Sequence, residues 1–118
     1  MRRIASHYIL YQHCYRLHYV ELDERNGVVA LHPLQEEIAG TAFYDGILLL
    51  WPQSLDPLDV RALWPDGLPA SLSQLCNDLL QLDSWKQVDP AEPVQVWHLS
   101  ADRKIFLPLH TFSIFRSD

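Results

Sequence analysis

The chain has 118 residues, 48% of them hydrophobic, with 9 basic and 15 acidic side chains and a formal charge of −6. A single domain with a core that needs no covalent staples is the expectation at this size. The acidic balance argues against nucleic acid and against anionic lipid as partners, since both select basic surfaces.

The longest apolar run, Ile47 to Trp51, is far too short to cross a bilayer. Met1-Arg2-Arg3 is basic, but no signal-type apolar region comes after it. A cytoplasmic location is therefore expected, and with it two free thiols at Cys14 and Cys76.

In chain order, Ile4 to Tyr11 is rich in β-formers, and Ile4, Tyr8 and Leu10 fall at even intervals, which predicts a strand with those three on one face. Leu17 to Asp23 alternates, with His18, Val20 and Leu22 opposite Leu17, Tyr19 and Glu21. Asn26-Gly27 then predicts a tight hairpin turn, because both residues tolerate positive φ. Val28 to His32 is the return strand, ended by Pro33. Leu34 to Ala39 suits a helical turn closed by Gly40, although it is too short to stand alone. Thr41 to Tyr44 and Ile47 to Leu50 are predicted as two short strands on either side of a turn at Asp45-Gly46. The second of them, apolar on both faces, is expected to be buried on both.

Pro52 to Pro69 carries four of the eight prolines and one tryptophan, Trp64. Asp56-Pro57 suits a helix start, with a turn or two over Asp59 to Trp64 before Pro65-Asp66-Gly67. A second helix starts at Ser71. Its stripe of Leu72, Leu75, Cys76, Leu79 and Leu80 has the spacing of one helix face. A proline-marked connector covers Asp89 to Pro93. Val94 to Leu99, Lys104 to Leu107 and Thr111 to Phe115 are the closing strands.

This order predicts a mainly β fold (β-rich α+β): a small β-sandwich or partly open barrel built from N- and C-terminal strands, with two short helices inserted between them. One domain spans 1–118, with strands over 1–52, the helical insert over 53–90 and the closing strands over 91–118.

The stretches "VELDERNGVVALHPL" and "TAFYDGILLLWP" resemble the opening of amidohydrolase-superfamily enzymes. In those enzymes the first strands form a small β-sandwich, the composite domain. The tail "VQVWHLSADRKIFLPLHTFSIFRSD" is similar to the strand pair that returns to that sandwich. The resemblance covers about the first 50 and the last 25 residues. It implies a stand-alone composite domain, because the metal-binding barrel that those enzymes insert is missing here. The six histidines, at 7, 13, 18, 32, 98 and 110, contain no His-x-His pair. The catalytic barrel needs about 250 residues, and that length is absent between Pro52 and Pro93. No catalytic residue carries over, and no cofactor is expected.

Candidate chemistry is sparse. His7, His13, Cys14 and His18 supply metal-ligand types, but their spacing matches no usual zinc pattern. The plain alternative places them as polar side chains on strands, with Cys14 in the loop between or at a strand edge. His13 beside Cys14 places a base next to a nucleophile, yet adjacent strand residues point to opposite faces. Glu36-Glu37, Asp56, Asp59 and Asp66 suit turns and helix starts better than paired-carboxylate catalysis.

Trp51 and Trp64, each followed by Pro, are the partner-binding candidates if exposed. If buried, they hold the inserted helices on the sheet, and burial is the favoured reading. The expectation is a non-enzymatic domain acting in protein–protein association, either as a homodimer or with a protein partner. The alternatives are a small metal-binding protein or enzyme using His7, His13, Cys14 and His18, and a ligand-binding module with a tryptophan-lined pocket.

Overall fold

The computed structural model describes residues 1–35, 40–56, 59–87, 89, 91–99 and 106–108. Six strands form one mixed sheet: β1 (Arg2–Tyr11), β2 (His13–Leu22), β3 (Val28–Pro33), β4 (Thr41–Pro52), β5 (Val94–Leu99) and β6 (Phe106–Pro108). Their order across the sheet is β3-β2-β1-β4-β5-β6. β1 and β4 run parallel, and every other neighbouring pair is antiparallel. Helices α1 (Val60–Leu63) and α2 (Leu72–Leu80), followed by a 3₁₀ turn over Asp83–Gln87, lie in the chain between β4 and β5. The mainly β class with a helical insert is therefore the fold. Among the described residues no helix is long and apolar enough to cross a membrane.

One face of the sheet carries a core to which no described helix contributes. Ile4, Ile9, Val20, Leu22, Leu48, Leu50, Val94 and Val96, from four strands, form one buried cluster, with Tyr11, Tyr15, Val28, Leu31 and Tyr44 packed around it. The sheet closes over this core by curling. The Val94 N–H donates to the Asn26 carbonyl at 2.9 Å, joining the β2–β3 turn to the start of β5 across the inner face. The described strands form one sheet, not two packed sheets.

The outer face carries the second core. Leu10, Ile47, Leu49 and Leu99 from the strands meet Leu75, Cys76 and Leu79 of α2 and Trp85 of the 3₁₀ turn. β4 contributes to both cores, so Ile47, Leu48, Leu49 and Leu50 are all fully buried, as an apolar run between two strands requires. α2 starts where expected, the Ser71 hydroxyl accepting from the Gln74 N–H at 3.3 Å. α1 starts later than the Asp56-Pro57 expectation. Its cap is Asp59, whose carboxylate accepts from the Ala62 N–H at 3.2 Å.

Two local expectations are corrected. Asp45-Gly46 does not turn the chain. β4 runs through it as one strand with a bulge, Gly46 at φ 89, and the pairing with β1 steps from Ser6↔Tyr44 to Tyr8↔Ile47. Nor do Ile4, Tyr8 and Leu10 share a face. Ile4 and Ile9 point inward, while Tyr8 and Leu10 lie against the outer core, so the alternation reverses at the irregularity around His7. In β2 the same reversal occurs opposite, where Leu17 has φ 51 and Tyr15 and Val20 both contact the inner core. Such bulges bend the sheet, and the bend is what closes it.

The β2–β3 hairpin forms as expected but by another device. Only Asn26 takes positive φ, at 63. Asp23 organises the turn, its Oδ1 accepting from the Arg25 N–H at 2.9 Å and the Gly27 N–H at 2.8 Å. A Cβ on residue 27 would lie 2.8 Å from that carboxylate, which explains the glycine. The residues of the expected helical turn at 36–39 and of the expected strand at 111–115 lie outside the described residues.

Candidate functional site

The outer face divides in two along the chain direction. The half under α2 is sealed by the outer core. The other half carries no described helix, and strand register arranges its side chains in two transverse rows. His32, Tyr19, Ala5 and Phe43 pair in sequence across β3, β2, β1 and β4, and Ala30, Glu21, Arg3 and Thr41 form the next row.

The first row is aromatic around a small centre. The Tyr19 and His32 rings lie 5.0 Å apart, and His7 meets Phe43 edge-on at 5.1 Å. Between them Ala5 is fully buried. Phe43 remains 50% exposed and Leu17, beside the bulge, 45%.

The second row is charged. Arg3 Nε donates to Glu21 Oε2 at 3.0 Å, and His32 Nε2 lies 3.2 Å from Glu21 Oε1. The Arg3 hydrogen bond, assisted by that of His32, holds the Glu21 carboxyl below its ordinary range. The Thr41 hydroxyl oxygen is buried with no hydrogen-bond partner among the described residues. An aromatic row with a mixed-charge rim has the composition of a protein-binding patch.

Of the sequence candidates, His7 touches this patch at Phe43, and together they do not converge on one site. His7 Nδ1 accepts from the Gly46 N–H at 3.2 Å, so it braces the β4 bulge. Ser6 and His98 brace the same bulge, Ser6 Oγ donating to the Gly46 carbonyl at 2.7 Å and His98 Nε2 to the Asp45 carbonyl at 2.7 Å. His13 lies edge-on to Tyr15, and His18 Nδ1 donates to the Arg16 carbonyl at 2.8 Å. Cys14 is a strand residue paired with Leu10, not a loop residue, because the β1–β2 turn is tighter than expected, with Gln12 at φ 63. Its thiol meets Cys76 of α2. Among the described residues no three His, Cys, Asp or Glu side chains gather as a metal site.

The tryptophans serve the outer core. Trp51 is 4% exposed, crosses Trp85 edge-on at 4.9 Å and donates from Nε1 to the Asp56 carbonyl at 2.9 Å. Trp64 is half-buried against the same core, with Nε1 on Asp78 Oδ2 at 2.9 Å. Burial removes Trp51 as a partner anchor, and both indoles hold the insert to the sheet. A surface hollow at Met1, Asp23, Glu24 and Arg25 has no tryptophan in its lining.

The sequence reading missed the patch on β1–β4 because its residues are one or two per strand. Only the cross-strand register, which a single sequence does not print, assembles them. No family model, curated protein or solved structure matches this chain.

Proposed function

We propose that this chain is a non-catalytic association module that forms a homodimer through the half of its outer sheet face that carries no described helix. The observation that carries this reading is the half-exposed Phe43 in one cross-strand row with Ala5, Tyr19 and His32. Arg3 and Glu21 put both signs of charge on the rim. A two-fold copy therefore meets opposite charges, whereas a patch of one sign would repel itself. The kinship with the amidohydrolase composite domain belongs to the same proposal. It is supported by the β2–β3 hairpin and by β5 returning beside β4.

Phe43→Glu tests the dimer. Burying an uncompensated carboxylate at the centre of the patch is expected to weaken association by about 2 kcal/mol or more, the size of a hot-spot loss. Sedimentation at several concentrations reads it directly. Wild-type protein that stays monomeric throughout the accessible concentration range sinks the proposal.

A further inference from the structure

The structure brings together two cysteines 62 positions apart in the sequence. Cys14 lies near the tip of the β1–β2 hairpin, exposed and paired across the strands with Leu10. Leu10 belongs to the outer core, and so does Cys76 on α2. α2 packs over β2, which brings Cys76 to the hairpin beside Cys14, near enough for each thiol to influence the titration of the other. We infer that Cys14 and Cys76 are a disulfide-forming site that fastens α2 to the β1–β2 hairpin when the protein meets hydrogen peroxide.

The exposed thiol reacts first. The Cys14 sulfur attacks one peroxide oxygen, an S–O bond forms, the O–O bond breaks and one water leaves. Cys76 then attacks the resulting sulfenic sulfur, the S–S bond forms, the S–O bond breaks and a second water leaves. The two thiols lose two electrons and two protons, and the peroxide is reduced to two waters. Disulfide closure brings the two sulfurs to about 2.05 Å.

Burial pushes the Cys14 thiol up and the Cys76 thiol up to about 12, while Arg16 favours the Cys14 thiolate. The reaction is therefore slow at neutral pH and accelerates as pH rises. The ring so closed encloses more than half of the chain, which restricts the unfolded state strongly.

The experiment exposes the intact protein to hydrogen peroxide and maps its peptides by mass without reduction. The expected result is one intramolecular Cys14–Cys76 peptide lighter by two hydrogens, together with a melting temperature raised by several degrees that dithiothreitol reverses. Cys14→Ser, at an exposed position, keeps the fold and loses the shift. Two outcomes overturn the inference: Cys14 carried to sulfinic acid while Cys76 stays a free thiol, or a Cys14–Cys14 bond between two chains. The patch around Phe43 lies on the other half of the sheet, so this result is independent of the dimer.

Discussion

Under α2, the outer face of the sheet carries Leu10, Ile47, Leu49 and Leu99, and away from α2 the same strands carry Arg3, Ala5, Thr41 and Phe43. The boundary between the two halves is the bulge row at His7, Leu17 and Asp45-Gly46. On one side, apolar side chains are covered by a helix of the same chain. On the other, an aromatic row with a charged rim has no described helix over it. The lesson is that one strand serves two purposes along its length. The buried side chains lie in the covered half and the inner core, and the other half is the surface proposed for association.

The largest effect expected from separating the halves is in the covered one. Leu79→Ala removes a fully buried side chain from the helix–sheet core, and chemical denaturation should show a loss of about 3 kcal/mol. At the boundary, Gly46→Ala forces a side chain onto a residue at φ 89. A loss of about 1–2 kcal/mol is expected from the left-handed conformation alone. In the half that carries no described helix, Phe43→Glu should change the denaturation midpoint of the monomer by no more than about 0.5 kcal/mol, as surface changes usually do, while abolishing association. A large loss of monomer stability in that variant would mean that the two halves are not separate in function.

The smallest effect concerns pH. The Gly27 and Arg25 N–H groups hold the Asp23 carboxyl below its ordinary value. This contribution is present above the ordinary carboxylate value and disappears as pH falls through the lowered folded value. Asp23→Asn should therefore lower the neutral plateau of the stability curve and flatten its acid side, leaving the acid end nearly unchanged. Melting temperatures measured from neutral to acid pH check it.

Much of the fold was legible because its signals are local. The hairpin at Asn26-Gly27, the doubly buried run Ile47 to Leu50 and the α2 stripe behind Ser71 each arise from neighbours within a few residues. The candidate site was not legible in the same way. Trp51 and Trp64 stood out by type and by the prolines after them, yet their indoles fill the core beneath the insert. Phe43 gave no comparable signal, because its neighbours Ala5, Tyr19 and His32 come from three other strands.

Composition and periodicity by themselves determined a mainly β domain with a helical insert, one central strand buried on both faces and one amphipathic helix. These depend on backbone propensity and on the alternation of apolar side chains, which are properties of short segments. Tertiary structure alone decided that Asp45-Gly46 bulges instead of turning, since Ser6, His7 and His98 from two other strands hold it. It also decided that Cys14 meets Cys76 and that β1 lies parallel to β4. Those outcomes depend on packing between residues some forty to sixty positions apart, where burial and register, not local preference, set the free energy.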